Sequence, residues 1–381
     1  MKFAVITHVQ HIENADAYYA YGPYVKEMNV WAKYIDQLYV VAPLHKGTAT
    51  PIDLKYEINA VDFFPISSFS LASPMEILRT FFKLPGILFM IYKVMRQADH
   101  IHLRCPGNIG LLGCLVQIFF PGKPKTAKYA GNWDPKSKQP FSYRLQKKIL
   151  NNTFLTKNMN VLVYGEWEGT SKNIVPFFTA SYRESEKEPI EIRSITCTEE
   201  HKAPVKFLFV GTLAQGKRPL YAVELIEKLL KKGYPVHLDL MGEGAEREKL
   251  ENYIKLKDIQ KYVHLKGNQD ATAVKEAYKQ SHFLILPSKS EGWPKVVAEA
   301  MFWGAVPLVT PVSCVSTMLN KEERGVLLDL NLEHDVSKIE KIILSPELYF
   351  HKAENALNWS RNYTLDSFEE EIKKMIQVKI N

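Results

Sequence analysis

Short apolar runs alternate with longer segments whose apolar residues recur every three to four positions, from the start of the chain to its end. A short apolar run predicts a buried strand, and the longer period predicts a helix. In the first half, strands are expected at residues 3–7, 38–42, 100–103, 126–129 and 161–163. Helices are expected between them at residues 24–35, 109–120 and 143–150. This alternation is typical of a parallel βαβ architecture.

A charged stretch at residues 184–203 interrupts the pattern. It is predicted to be a linker because it contains Pro189, is followed directly by Pro204 and shows no apolar periodicity. The same alternation then restarts. Strands are expected at residues 205–210, 236–241, 263–265, 283–286, 306–309 and 325–329, and helices at 219–231, 245–255, 271–280, 295–302, 336–344 and 365–378. We therefore predict an α/β fold of two doubly wound, Rossmann-like domains. The N-terminal domain is expected to comprise residues 1–200, joined by a C-terminal helix at 361–381, and the C-terminal domain residues 201–360.

Composition narrows the possible partners. The chain has 381 residues, 46% of them hydrophobic and 24% charged, which is ordinary for a globular protein of two domains. The net charge of +7 would suit an anionic donor or an anionic membrane surface equally well, and no nucleic-acid-binding motif is present, so we expect no nucleic-acid partner. The four cysteines lie far apart without a CxxC pair, and the first residues enter a strand without a cleavage site. Both features favour a cytoplasmic protein without a disulfide framework or a structural zinc site.

Residues 77–95 are strongly apolar, but Lys83 and Lys93 interrupt them and Pro85 breaks them. A membrane-spanning helix is therefore not expected. Two interpretations stay open. The favoured one is a buried helix packed on a sheet, and the other is a basic, apolar surface that contacts the inner membrane leaflet.

Ligands of doubly wound sheets bind beyond the carboxyl ends of the strands, so the loops at these ends are the candidate sites. After the strand at 205–210 come Gly211, Thr212, Lys217 and Arg218, just before a predicted helix. Glycine flexibility, two cations and a helix N-terminus together predict an anion site, although the spacing is not that of an ATP-binding Walker A loop. Two further glycines, Gly242 and Gly244, follow the strand at 236–241 and would allow a ligand to approach the backbone closely.

The loop after the strand at 283–286 is the most informative. It carries Glu291 before the predicted helix at 295–302 and Glu299 within it. A carboxylate in the loop can accept hydrogen bonds from sugar hydroxyls, and one on the helix can reach a ribose diol. The backbone between them can hold phosphate or developing charge, which involves Gly292, Trp293, Pro294 and Lys295. Glu299 interrupts an otherwise apolar helix face, and such a placement is costly without polar partners.

At these residues the sequence resembles the retaining nucleotide-sugar glycosyltransferases of family 4, also called glycosyltransferase group 1, which have the GT-B fold. The resemblance rests on a Glu, seven residues and a second Glu, on residues 304–309 and on the glycine loops near 211 and 242. It is specific over residues 205–329 and faint in the first half. It implies that Glu299 binds the donor ribose, that Glu291 contacts the transferred sugar, and that Lys217, helped by Arg218, neutralises the departing diphosphate. The backbone of residues 292–295 would bind sugar hydroxyls and phosphate.

The family further implies two domains facing each other across a cleft and a UDP- or GDP-sugar as co-substrate, with neither a cofactor nor a metal. The acceptor would be a glycan or a lipid-linked glycan bound by the first domain, as in surface-polysaccharide assembly. Thr212 stands where many members carry Arg, and no histidine follows the strand at 126–129. The candidates to line the cleft from the first domain are Gly22, Arg104, Asn132 and Asp134. A nucleotide-sugar epimerase and a non-catalytic nucleotide-sugar-binding protein are the alternatives.

Overall fold

The computed structural model describes residues 1–14, 17–50, 52–67, 74–195 and 203–377. It divides into two compact units. The first unit comprises Met1–Phe177 together with the residues from Glu369 on, and the second comprises Phe178–Phe368. The limits predicted from the sequence, 200/201 and 360/361, differ from these because Glu188 and Arg193, within the predicted linker, bond to residues of the second unit.

The strands of the first unit are β1 (Lys2–Ile6), β2 (His11–Asn14), β3 (Ala17–Tyr21), β4 (Gln37–Ala42), β5 (Leu44–Lys46), β6 (Asp53–Lys55), β7 (Val61–Pro65), β8 (His100–Cys105), β9 (Lys125–Tyr129), β10 (Met159–Tyr164) and β11 (Ile174–Phe177). Its helices are α1 (Gly22–Ala32), α2 (Pro74–Gln97), α3 (Asn108–Val116) and α4 (Phe141–Leu150), and a 3₁₀ turn at Gln117–Phe119 extends α3. The five strands and three helices predicted in this half are confirmed, with ends that differ by a few residues.

Seven of these strands form one parallel sheet in the order β11-β10-β9-β8-β1-β4-β7. Counted along the chain, this is the order 7-6-5-4-1-2-3, so the winding direction reverses between β1 and β8. The edge strands β7 and β11 were not predicted. Each contains a proline and is only partly buried, so neither shows a continuous apolar run.

A second, four-stranded sheet in the order β5-β2-β3-β6 was also missed. Its strands have three to five residues and are half polar, which leaves little periodic signal. His11, the first residue of β2, is fully buried, with Nε2 2.7 Å from the Tyr56 hydroxyl and Nδ1 2.8 Å from the Val9 carbonyl. Burial lowers the pKa of His11 to about 4, although the hydrogen bond to Val9 opposes this shift, so the imidazole is neutral at pH 7.

The interpretation of residues 77–95 as a helix packed on a sheet is confirmed. One stripe of α2 lies in the core of the first unit and includes Ile87, Ile91, Val94 and Met95. Pro85 lies inside the helix without ending it. Within the part of the chain that the structure describes, no helix is both long enough and apolar enough to cross a bilayer.

The strands of the second unit are β12 (Val205–Val210), β13 (Val236–Met241), β14 (Val263–Gly267), β15 (Phe283–Leu286), β16 (Val306–Val309) and β17 (Val326–Leu327). The helices are α5 (Pro219–Lys231), α6 (Arg247–Leu256), α7 (Ala271–Gln280), α8 (Lys295–Phe302), α9 (Val315–Leu319), α10 (Leu332–Ile343), α11 (Pro346–Ser360) and α12 (Leu365–Gln377). From Glu369 on, α12 is grouped with the first unit. All six predicted strands are present, and α9 and α11 were not predicted.

The second sheet is entirely parallel and has the order β14-β13-β12-β15-β16-β17. Counted along the chain this is 3-2-1-4-5-6, the order of dinucleotide-binding doubly wound sheets. The two sheets confirm the predicted fold class. In the second unit the direction of winding reverses between β12 and β15, and the crevice at a reversal point is where such sheets bind ligands.

Residues 184–195, the described part of the predicted linker, are bonded to the second unit. Residues 184–186 form a 3₁₀ turn, and the Glu188 carboxylate lies 2.8 Å from Nζ of Lys275 and 2.6 Å from Nζ of Lys279. Arg193 donates to the carbonyls of Lys279 and Trp303. The charged residues of this segment therefore bind it to the second unit. The same residues explain why its sequence shows no apolar periodicity. Residues 196–202 lie outside the described residues.

Candidate functional site

The candidate site of the second unit is built from the loops that follow β12 and β15, the two strands on either side of the reversal point. A backbone hydrogen bond of 2.8 Å joins them, from the amide of Lys289 to the carbonyl of Gly216. Arg218 adds a second connection, because its Nη1 donates to the Pro287 carbonyl at 3.0 Å. The two most informative loops of the sequence are therefore held side by side.

Arg218 has an unusual backbone conformation. It lies immediately before α5 with a φ of 50° and a ψ of 51°, in the left-handed region that non-glycine residues rarely adopt. Pro219 then supplies the fixed φ that suits a first helical position. A guanidinium has five N–H groups, so the hydrogen bond to Pro287 leaves donors with which Arg218 could contact an anion.

Lys217 and Glu291 meet at the centre of these loops. The Nζ atom of Lys217 lies 2.5 Å from Oε1 of Glu291, although the residues are 74 positions apart. The side chain of Glu291 is 11% exposed and that of Lys217 is 31% exposed. The ammonium compensates the carboxylate and remains accessible to an anion from solvent.

Gly242 and Gly244 have a geometric reason to be glycine. A Cβ atom on Gly242, whose φ is 142°, would lie 2.0 Å from the Gly211 carbonyl oxygen, and one on Gly244 would lie 2.4 Å from that of Leu213. Two backbone hydrogen bonds of 2.9 Å join the same segments, from Gly211 to the carbonyl of Met241 and from Leu213 to that of Glu243. The glycines thus allow the loop after β13 to support the loop that carries Lys217. The Thr212 carbonyl accepts from the Ala214 amide within that loop.

Glu299, on α8, has two protein partners that the sequence did not reveal. The Ser181 hydroxyl donates to Oε1 at 2.5 Å and the Tyr278 hydroxyl donates to Oε2 at 3.0 Å. Burial and the charge of Glu299 raise the pKa of Tyr278 well above its ordinary value, so the phenol keeps the proton that it donates. A carboxylate has about four acceptor positions, so these two bonds leave about two for a ligand.

The loop between β15 and α8 accepts hydrogen bonds from residues that lie between β16 and α9. The Ser313 hydroxyl and the Cys314 thiol both donate to the Gly292 carbonyl, at 2.9 and 3.3 Å. The Thr310 hydroxyl donates to the Ser288 carbonyl at 2.5 Å. These polar groups orient the loop backbone, and their positions after β16 show no motif by which the sequence could have identified them.

Trp293, Pro294 and Lys295 complete that loop. The ring of Trp293 packs 5.6 Å from that of Tyr363 and 6.2 Å from that of Trp359, which gives it a structural role. Pro294 is buried and precedes α8, and Lys295 is its first residue. Lys295 and Glu299 together line a cavity of about 10 Å³, roughly the space of one water molecule.

The predicted residues of the first unit are largely engaged in local structure. Nη1 of Arg104 lies 2.5 Å from Oε1 of Glu27, and both side chains are about nine-tenths buried. Asn132 accepts from the Asp134 amide at 2.9 Å, and Asp134 accepts from the Lys136 amide at 2.8 Å, so both shape their own loop. The amide of Gly22 donates to the Ile52 carbonyl at 2.8 Å.

His8 is a further candidate residue of the first unit. It follows β1 at the reversal point of the first sheet, where a Cβ atom on Gly107, after β8, would lie 2.7 Å from its Nδ1. Partial desolvation, and then the charge of Arg104, lower the pKa of His8. The signal that identifies it is its place at the carboxyl end of the first strand, rather than any motif.

The two units, each a doubly wound parallel sheet with its reversal point near the centre, define a protein of the GT-B structural class. Solved structures agree. Over 99% of each chain, the fold is similar to that of the Anabaena protein HepE in complex with UDP and glucose, with a TM-score of 0.66 and 12% identity. It is also similar to WaaG, a glycosyltransferase involved in lipopolysaccharide biosynthesis, with a TM-score of 0.64 and 14% identity over 99% of this chain and 100% of that chain.

Residues 197–359 match the family model of glycosyl transferases group 1. A Haemophilus influenzae protein described as an uncharacterized glycosyltransferase is 32% identical over 173 residues. That alignment covers 44% of this chain and 48% of the relative, so the chain matches about half the length of that protein. Residues 197–359 therefore match the glycosyltransferase group 1 family, which confirms over this part of the chain the resemblance read from Glu291 and Glu299.

Proposed function

We propose that the protein is a retaining glycosyltransferase that moves a sugar from a nucleoside-diphosphate sugar to a glycan or lipid-linked acceptor. The observation that carries the proposal is the pair formed by Lys217 and Glu291 at the reversal point of the second sheet. A cation for a departing diphosphate and a carboxylate for the transferred sugar stand there side by side. The UDP bound to the structurally similar HepE supports a nucleotide donor.

The second unit is proposed to bind the donor. The ribose diol would donate to the two acceptor positions that Ser181 and Tyr278 leave on the Glu299 carboxylate. The diphosphate would lie near the loop of Gly211 and the N-terminus of α5, where the helix dipole favours negative charge. Gly242 and Gly244 would allow the loop after β13 to pack closely against that loop and hold its position.

Lys217 is proposed to stabilise the leaving group, with Arg218 as the second cation in place of the arginine that Thr212 replaces. On donor binding, the ammonium of Lys217 would be shared between the Glu291 carboxylate and the diphosphate, and transfer would require no metal. Glu291 would accept hydrogen bonds from the sugar and stabilise positive charge that develops on it. Departure and attack on the same face of the sugar would retain the anomeric configuration.

The first unit is proposed to bind the acceptor, at the reversal point formed by His8 and Gly107. The similarity to WaaG supports a role in surface-polysaccharide assembly. Next to this unit's core, α2 exposes Phe82, Phe89 and Tyr92 together with basic residues, and we propose that this surface rests on the inner membrane leaflet.

The proposal is tested by incubating the protein with UDP- and GDP-sugars and measuring release of the nucleoside diphosphate and the anomeric configuration of the product. Slow hydrolysis of one donor, accelerated by a glycan or lipid-linked acceptor and retained in the presence of a chelator, is the expected result. Conversion of the donor sugar into its epimer with no acceptor would instead identify an epimerase. Donor binding without either reaction would identify a non-catalytic binding protein.

A further inference from the structure

Three potential metal ligands meet on one face of the second sheet, outside the loops of the candidate donor site. His237 and Asp239 are two residues apart on β13, so their side chains point to the same face, and Asp239 is in register with His264 of β14. Nε2 of His237 lies 3.2 Å from Oδ1 of Asp239, and Nδ1 of His264 lies 3.4 Å from the same atom. One potential ligand atom from each residue lies within 4.8 Å of the others.

These separations suit a tetrahedral ion. Bonds of about 2.1 Å to nitrogen and oxygen ligands would place neighbouring ligand atoms about 3.4 Å apart in tetrahedral coordination. The two distances from Asp239 match this value. Two imidazoles and one carboxylate are ligands that zinc and related divalent ions bind, and three protein ligands leave a fourth position for water.

The surroundings leave room for an ion and its water. The three side chains are 27%, 29% and 37% exposed and line, or lie beside, a cavity of about 360 Å³ between the sheet and α7. Gln269 and Glu276 contribute further oxygen atoms to its lining. The partly exposed cluster is therefore accessible from solvent without a rearrangement of the sheet.

Asp239 is charged at neutral pH. Burial alone would raise its pKa, but the hydrogen bond from His237 and the ammonium of Lys266, 3.7 Å away, together hold the pKa below its ordinary value. Lys266 occupies a position that a metal ion would compete for. Its side chain is 41% exposed and ends in solvent, so it can turn away when an ion binds.

We propose that His237, Asp239 and His264 bind Zn²⁺ or a chemically similar divalent ion, which cross-links β13 to the edge strand β14. The sequence predicted no metal site, because the two histidines are far apart along the chain and only the parallel pairing of the strands brings them together. The site is independent of the proposed sugar transfer and of its residues.

The test is a titration of the chelator-treated full-length protein with Co²⁺, which absorbs visibly in tetrahedral sites, together with equilibrium dialysis against Zn²⁺. The expected result is a tetrahedral Co²⁺ spectrum, and a bound Zn²⁺ that raises the unfolding temperature. His264→Ala and Asp239→Asn should each raise the Kd for Zn²⁺ at least about ten-fold. His334→Ala, in a second cluster with Asp329 and Asp335, is the matched control and should leave the spectrum unchanged.

Lys266→Met removes the competing charge and keeps all three ligands, so it should tighten Zn²⁺ binding. Circular dichroism of each variant without metal separates a lost ligand from a lost fold, and Lys266→Met keeps the test valid if the other variants do not fold. Absence of bound ion in both the wild type and Lys266→Met would overturn the proposal. Loss of the spectrum in His334→Ala but not in folded His264→Ala would also overturn it, by assigning the ion to the other cluster.

Discussion

Lys217 and Glu291 form an ion pair of 2.5 Å that joins the loop after β12 to the loop after β15. The glutamate is nearly buried and the lysine is about one-third exposed, so the pair presents its positive member to solvent. An anion that enters from solvent would meet the ammonium first. This arrangement makes the role of the lysine separable from that of the glutamate by mutation.

Lys217→Ala is expected to lower kcat for donor turnover at least about 100-fold, because the positive charge that faces the departing diphosphate is lost. Lys217→Arg should recover part of this loss. Steady-state release of nucleoside diphosphate measures both. Lys289→Ala is the matched control, since this exposed lysine in the adjacent loop contributes only its backbone amide to the connection with Gly216. Near-normal kcat in Lys217→Ala would contradict the leaving-group role.

Glu299→Gln is expected to weaken donor binding at least about ten-fold, because the neutral amide is a poorer acceptor for a ribose diol than a carboxylate. Ser181→Ala should have a smaller effect, since it removes one protein donor and leaves the charge. Calorimetric titration with the nucleoside diphosphate alone measures both changes without turnover. Glu347→Gln, an exposed carboxylate at the start of α11, controls for loss of one negative charge. Unchanged affinity in Glu299→Gln would remove the ribose contact.

Gly242→Ala is expected to lower the free energy of unfolding by about 1–3 kcal/mol. The alanine would have to adopt the φ of 142°, and its Cβ would overlap the Gly211 carbonyl oxygen. Gly216→Ala is the matched control, since its Cβ would meet no atom within 4 Å. That change should be neutral or stabilise by up to about 1 kcal/mol. Urea denaturation of the two variants measures the difference. Equal stabilities would show that the loop after β13 shifts freely.

The buried His11 is expected to make the first unit less stable in acid. Its pKa is about 4 when folded and 6.5 in the unfolded chain, so the unfolded state binds the extra proton between these values. Stability from this group is therefore full above pH 6.5 and falls as the pH approaches 4, by about 3 kcal/mol in total. Denaturation at several pH values should show a shallower slope in His11→Gln than in wild type. His45→Gln, an exposed histidine, should keep the wild-type slope.

The second sheet could be predicted closely from the sequence, because β15 and β16 are fully buried apolar runs and the apolar residues of β12 and β13 are mostly buried. Strands β12, β13, β15 and β16 have the same limits as the prediction. The four-stranded sheet that includes His11 could not be predicted, since its short, half-polar strands are stabilised by pairing with other segments of the chain. Local propensity carries no information on such pairing.

The candidate site likewise contains residues that the sequence identifies and residues that it does not. Lys217, Glu291 and Glu299 could be identified because each lies in a loop or helix directly after a recognisable strand. Their partners could not, because Ser181 lies 118 residues before Glu299 and only the folded chain brings the two together. The carboxylate on an otherwise apolar helix face predicted that polar partners exist, without identifying the partner residues.

The exposed aromatic residues of α2 lead to the last prediction. Phe82 and Phe89 are 77% and 68% exposed and lie seven residues apart, on the same face of the helix, with Lys83 and Lys93 nearby. Inserting two phenylalanines into the interface of a bilayer would contribute on the order of 2 kcal/mol or more. Replacing both with serine is therefore expected to lower affinity for vesicles of anionic lipid at least about ten-fold in co-sedimentation.

Phe154→Ser provides the control, because this phenylalanine is 76% exposed but lies outside α2. It should leave vesicle binding unchanged. Raising the salt concentration should weaken binding of the wild type by screening the lysines, while neutral vesicles should bind it poorly at any salt concentration. Equal binding of the wild type and the double variant to anionic vesicles would show that the basic charge of the chain, rather than the surface of α2, attracts the protein to the lipid.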